Sequence, residues 1–196
     1  MVRIAIDGNI GCGKSTAIKE LSEKYKVYAE DLDAWGDWLV KYYDNPSRYG
    51  LGFQMTVLLS HLKQQKEVLV DETVIYERCS YTCNHIFGDL LVDDKIMEPA
   101  ELDLCKSYER AFNNSVTDLI YLRTTPEVCK SRIVARDRSC ESSIDISYLE
   151  KLHAKYESVY NNGYNVIDGI HIHIVDATSD QKTVLDKINY TIEMLL

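Results

Sequence analysis

Short apolar runs alternate along the chain with segments whose apolar residues recur at helical spacing, from the first residues to the last. Such alternation predicts a parallel sheet with helices on both faces. Strands are predicted at about 2–7, 27–29, within 68–77, at 117–123 and at 170–175, which makes a five-stranded parallel sheet. The pairing part of the third is placed at 73–76, because that part leads directly into Glu77-Arg78. Helices are expected up to Tyr25, over 33–43, and from about Arg48 with Met55, Leu58, Leu59 and Leu62 on its periodic positions. Asp44-Asn45-Pro46 ends the second of these, since proline disfavours helical geometry in the residue before it. Further helices are expected at 80–91, at 99–114 with Leu102, Cys105 and Phe112 on one face, and after Thr125-Pro126-Glu127. Ser147-Tyr148-Leu149-Glu150 reads as a capping box, and a last helix is expected over 180–195. With no repeats, low-complexity tracts or linkers, a single domain over 1–196 is expected.

The junction between the first strand and the first helix carries the strongest chemistry. Gly8-Asn9-Ile10-Gly11-Cys12-Gly13-Lys14-Ser15-Thr16 has the spacing of a phosphate loop, in the strand-to-helix context that such a loop needs. Its glycines let successive backbone N–H groups converge on phosphate oxygens at the positive end of a helix dipole. Lys14 would reach the outer phosphates and Ser15 would ligate Mg²⁺. An ordinary glycine-rich turn would explain Gly8 and Gly11, but not Lys14-Ser15-Thr16 as well.

Composition narrows the partners. With 22 basic against 31 acidic residues, the surface is not built to neutralise a nucleic-acid backbone, so phosphate handling is expected in a local pocket. The six cysteines show no paired short spacings, which fits reduced thiols better than disulfides or zinc. The first strand follows Met1 almost at once and no apolar run is long enough to span a bilayer, so neither a signal peptide nor a membrane anchor is expected. A cytoplasmic protein is the expectation.

Against that acidic background, Lys130, Arg132, Arg136 and Arg138 crowd into nine residues. A solvated helix face would explain such a run. Beside a phosphate loop, arginines on a lid (about 125–142) that closes over equatorial phosphate oxygens are favoured. Glu30 ends the second strand and could take the proton of an acceptor hydroxyl; a surface glutamate would look the same. Glu77 could serve Mg²⁺, or form a local ion pair. His171 and His173 alternate with Ile172 and Ile174 and are expected to face a helix or solvent rather than a metal.

In the order and spacing of these motifs the chain resembles the deoxyribonucleoside kinases, the group that includes mitochondrial-type thymidine kinase, deoxycytidine kinase and the insect multisubstrate enzyme. The resemblance rests on Gly8 to Thr16, Glu30 with Trp35, Tyr43-Asp44-Asn45-Pro46 followed by Phe53-Gln54, Glu77-Arg78, Leu119 to Glu127, and Arg132 to Glu141. It implies a P-loop kinase fold that uses ATP and Mg²⁺ to phosphorylate the 5′-hydroxyl of a deoxynucleoside, and a homodimer paired through the helices at 80–91 and 99–114. Glu30 would be the general base, with Arg78 near the same oxygen. Glu77 would hold Mg²⁺ alongside Ser15. Tyr43 and Glu141 would bind the sugar 3′-hydroxyl, Gln54 would read the base edge, and Trp35 and Phe87 would line or stack on the base. Catalysis would draw on Lys14, Arg132, Arg136 and Arg138, and Arg136 would also bind the donor.

Two departures from the family pattern stand out. Its usual Glu-Pro-Val is Glu30-Asp31-Leu32 here, and its Glu-Arg-Ser is Glu77-Arg78-Cys79. The positions that separate substrate preferences fall at Val57, His61 and Cys83. Members preferring deoxycytidine and purines carry arginine and aspartate at the last two, so this chain is expected to prefer pyrimidines and accept thymidine. Two rivals share the phosphate loop. A thymidylate-type nucleoside monophosphate kinase would need extra cations for the acceptor phosphate, where this sequence offers Glu30, Tyr43, Gln54 and Glu141. A nucleotide switch would be expected to carry Asn-Lys-x-Asp, which is absent.

Overall fold

The structure is a computed structural model that describes residues 2–66, 73–112, 116–136, 144–161, 163 and 165–196. In chain order its elements are β1 (Arg3–Asp7), α1 (Lys14–Leu21), β2 (Lys26–Tyr28), α2 (Leu32–Asp44), α3 (Pro46–Lys66), β3 (Val74–Glu77) and α4 (Ser80–Thr82). A π-helical segment (Cys83–Gly88), α5 (Asp89–Asp93), α6 (Pro99–Phe112), β4 (Asp118–Arg123) and α7 (Pro126–Arg136) follow. The chain closes with α8 (Ile146–Tyr160), β5 (Val166–Ile167), β6 (Ile170–Asp176) and α9 (Gln181–Leu195). Two compact units emerge: Met1–Ala29, Leu69–Glu77 and Val116–Leu196 form the first, Glu30–Val68 and Arg78–Ser115 the second.

The first unit holds the sheet, in the order β2-β3-β1-β4-β6-β5. β2, β3, β1, β4 and β6 run parallel, with Ile4 of β1 opposite Ile75 of β3 and Asp118 of β4. β1, β3 and β4 are almost wholly buried, as strands covered on both faces must be, so their apolar runs are continuous rather than alternating. The core packs Ile4, Ile6 and Leu122 of these strands with Ile18 and Leu21 of α1, Leu149 of α8, and Ile188 and Ile192 of α9.

The expected five-stranded parallel sheet is corrected to a mixed sheet of six strands. The extra strand, β5, pairs antiparallel with β6, Ile167 opposite Ile170. Asp168 (φ 50°) and Gly169 (φ 83°) make the two-residue turn between them, and Asp-Gly is the pair that tolerates positive φ at both positions. The third strand pairs through Val74–Glu77, within one residue of the segment favoured from sequence.

The second unit is helical among the described residues, around Leu58 and Leu62 of α3, Cys83, Leu91, Met97, and Leu102 and Cys105 of α6. Gly36, at φ 43° and ψ −128°, kinks α2 into two short helices where one was expected. The helix expected at 80–91 is interrupted by the π segment from Cys83 to Gly88. In the first unit, α8 is capped by Asp145, whose carboxylate accepts from Ser147 N–H at 2.8 Å, so the capping box at Ser147 is not the start of that helix. The carboxylate two residues earlier takes the exposed amide first.

Candidate functional site

Between β1 and α1 the chain makes a tight loop over residues 8–13. Gly8 has φ +145°, and a Cβ there would stand 2.7 Å from Leu122 O and 2.8 Å from Cys12 Sγ, so no side chain fits. Asp7, fully buried, accepts from Gly8 N–H at 2.6 Å and from the Tyr156 hydroxyl at 2.9 Å. Asn9 ties the loop to α8, donating from Nδ2 to Leu149 O at 2.9 Å while Oδ1 accepts from Ile10 N–H at 2.8 Å. Lys14 is buried, and its Nζ donates to Gly8 O at 3.1 Å and Asn9 O at 2.9 Å. The loop is therefore fixed from beneath by side chains of other elements.

Ser15 Oγ donates to Glu77 Oε1 at 2.7 Å, which joins the first turn of α1 to the end of β3. Among the described residues no three His, Cys, Asp or Glu converge as a metal cage. A hydroxyl and one carboxylate fit Mg²⁺ bound chiefly through phosphate oxygens, an ion that keeps few protein ligands.

A cleft of about 290 Å³ opens beside this loop, lined by Gly11 through Ala17, by Arg132 and Arg136 of α7, and by Val184, Leu185 and Ile188 of α9. Cations and loop amides suit phosphates, and the aliphatic wall suits a flat ring. Arg132 lies less free than a lid arginine is expected to be. Nη1 donates to Cys12 O and Ala177 O, each at 3.1 Å, and Nη2 to Ser179 O at 3.1 Å. Those bonds use three of the five guanidinium donors and strap α7 to the phosphate loop and to the turn after β6. Arg138 and Glu141, also singled out from sequence, lie outside the described residues.

In the second unit, Arg78 adopts φ 61°, an uncommon conformation for a non-glycine residue and one that concentrates at functional sites. Nη1 donates to Glu30 Oε1 at 2.5 Å, and the guanidinium lies 4.9 Å from the centre of the Phe87 ring. Trp35 is buried against Phe53, 5.9 Å between ring centres, and its Nε1 donates to Ser60 Oγ at 3.1 Å. His61 is buried, and among the described residues its Nε2 has no hydrogen-bond partner. Burial lowers its pKa to about 4; Glu30 opposes that shift and Arg78 adds to it. Gln54, one turn-pair earlier on the same face of α3, is buried with its Nε2 2.6 Å from Cys83 O. Burial also pushes the Cys83 thiol well above its ordinary pKa, so it stays neutral. Val57 is half-buried and Tyr43 exposed.

The deoxynucleoside kinase family model matches residues 4–193. The chain belongs to the deoxynucleoside kinase family. Protein 029R of Invertebrate iridescent virus 3 is 35% identical over 184 residues, covering 92% of this chain and 91% of that protein. Human deoxycytidine kinase is 30% identical over 192 residues, covering 80% of this chain and 74% of its own. A solved structure of deoxyadenosine kinase from M. mycoides, described as holding the products dCMP and a flexible dCDP, superposes with TM-score 0.85 at 28% identity and full coverage of both chains. This chain is thus a kinase acting on deoxynucleosides, with a nucleotide as phosphate donor. No helix among the described residues is long and apolar enough to cross a membrane.

Both departures from the family pattern have local structural roles in this kinase. Asp31 caps α2, accepting from Ala34 N–H at 2.9 Å. Cys79 precedes α4 with its Sγ 3.6 Å from Thr82 Oγ1. Sequence reasoning overlooked Asp7 and Tyr156 beneath the phosphate loop, and Asn84 and Glu109 behind Gln54. Glu109 had a readable signal: it shares the helical face of Leu102 and Cys105, where a charge must find a partner.

Proposed function

We propose that this kinase transfers the γ-phosphoryl group of ATP to the 5′-hydroxyl of a deoxyribonucleoside, preferring pyrimidines and accepting thymidine. One observation carries the acceptor side: Glu30 is fixed by Arg78, itself flanked by Phe87 and held in a strained backbone conformation. Glu30 takes the 5′-hydroxyl proton as the oxygen attacks, and Arg78 orients that carboxylate. On the donor side, the loop amides and Lys14 receive the phosphates. Arg136, with the donors of Arg132 that the strap leaves over, faces their equatorial oxygens. Ser15 and Glu77 would hold Mg²⁺, which when bound neutralises charge between the β- and γ-phosphates.

The base preference follows from an uncharged wall. Val57, neutral His61 and the Cys83 thiol offer no fixed charge, and Gln54 offers an amide. Trp35 and Phe87 contribute aromatic surface, and Tyr43 with Glu141 would hold the 3′-hydroxyl. The residues 1–196 act as one kinase domain. Two copies pair through the helices at 80–91 and 99–114; on α6, Leu104, Tyr108 and Phe112 lie exposed at four-residue spacing and the last two rings stack.

A radiolabelled transfer assay across the four deoxynucleosides and thymidine monophosphate tests this reading. Turnover of thymidine and deoxycytidine with none of the monophosphate is expected. Transfer to the monophosphate alone would favour the monophosphate-kinase alternative.

A further inference from the structure

Gln54 turns its amide toward the π-helical segment. Nε2 lies 2.6 Å from Cys83 O, 3.3 Å from Asn84 Oδ1 and 3.3 Å from Cys83 Sγ, and among the described residues nothing hydrogen-bonds Oε1. Space for this amide depends on Gly88, where a Cβ would come 3.1 Å from Nε2 and 2.6 Å from Leu102 Cδ1. The polarity of the amide is set one step further out. Asn84 is fully buried, and its Nδ2 donates to Glu109 Oε2 at 2.7 Å. Burial raises the pKa of Glu109, and the Asn84 bond, Lys106 and Arg110 oppose that shift. As an ionised carboxylate Glu109 only accepts, so the nitrogen of Asn84 faces Glu109 and its oxygen faces Gln54. That oxygen and the Cys83 carbonyl are both acceptors, and together they require the nitrogen of Gln54. Reversing the amide would turn its oxygen toward the Asn84 oxygen and the Cys83 carbonyl, neither of which can donate to it, in a buried site.

We propose that Asn84 and Glu109 are positioning residues that hold the Gln54 amide in one polarity, so that Gln54 meets the substrate base with its carbonyl oxygen. This rests on the reading of Gln54 as the residue that faces the base. An oxygen acceptor selects a base with an N–H at the contacted position. The proposed contact is with position 3 of a pyrimidine, where thymine and uracil carry that hydrogen and cytosine carries a lone pair that repels the oxygen. Set against position 4, the oxygen would accept from the amino group of cytosine instead, and the thymidine-to-deoxycytidine ratio would move the other way in the variants. The relay from Glu109 through Asn84 to Gln54 therefore favours thymidine and deoxyuridine over deoxycytidine, from residues that never touch the substrate.

The test is the ratio of kcat/KM for thymidine to kcat/KM for deoxycytidine, taken on one preparation so that any inactive fraction cancels. In Glu109→Gln the new amide can present either its oxygen or its nitrogen, so the relay can turn over. The ratio should then fall roughly tenfold, while KM for ATP stays at the wild-type value. Replacing both relay partners with apolar groups, Asn84→Leu with Glu109→Leu, should lower the ratio similarly without leaving a lone buried charge. Gln54→Met should also shift the ratio, and Glu109→Gln should add nothing on that background. A wild-type ratio in both relay variants, with Gln54→Met shifting it, would overturn the positioning role and leave Gln54 as the base reader. A wild-type ratio in Gln54→Met would overturn the base-reading role and this inference with it.

Discussion

Arg78 donates from Nη1 to Glu30 Oε1 at 2.5 Å, and the two side chains are only 8% and 14% exposed. Such a pair is costly to desolvate and contributes little to stability in itself. Each of its members follows a strand of the first unit by one or two residues: Glu30 after β2, Arg78 after β3. Strand ends of this kind are where open parallel sheets place their ligands.

Glu30→Gln keeps the size of the side chain and removes its capacity to accept the hydroxyl proton. Its kcat should fall by roughly 10²–10⁴-fold, with ATP binding by calorimetry unchanged. Full turnover in the variant would remove Glu30 as the base.

A nucleoside lacking its 3′-hydroxyl leaves Tyr43 and Glu141 without the group they are proposed to bind. The kcat/KM for 3′-deoxythymidine should be lower than for thymidine by roughly tenfold or more. Equal values would contradict that assignment.

His61 carries a pH signature. Its folded pKa is lowered to about 4 by burial, below the ordinary value of 6.5, so between these values the unfolded chain binds more protons. Stability then rises with pH across that window and is lost as pH falls toward 4, by up to about 1.4 kcal/mol per pH unit from this group. Denaturant midpoints taken from pH 7 to pH 5 should drop more steeply for the wild type than for His61→Gln. Parallel profiles would show that His61 does not titrate below its ordinary range.

Arg132 spans three main-chain carbonyls from two segments, a geometry that the single ammonium of lysine cannot reproduce. Arg132→Lys should lower stability by about 1–3 kcal/mol in denaturant titration and raise KM for ATP. Loss of turnover with unchanged stability and KM would instead assign Arg132 to the phosphates alone.

The sequence revealed most where chemistry and periodicity coincide. The loop from Gly8 to Thr16 was legible because strand, glycines, lysine and helix stand in a fixed order, and Glu30 could be placed just past a strand end, whereas the role proposed for Arg78 came from the family resemblance. β5 was missed because two residues carry no periodicity, although Asp168-Gly169 announces its turn. The π segment at Cys83 could not be read, since its apolar pattern is compatible with an unbroken α-helix. The relay of Asn84 and Glu109 was hidden for another reason: partners 25 residues apart become a pair only once α6 has packed.

Product analysis tests the central claim most directly. With γ-labelled ATP and thymidine, the account predicts thymidine 5′-monophosphate carrying all of the transferred label, formed in equal amount to ADP. Label released as inorganic phosphate, with thymidine recovered unchanged, would contradict it.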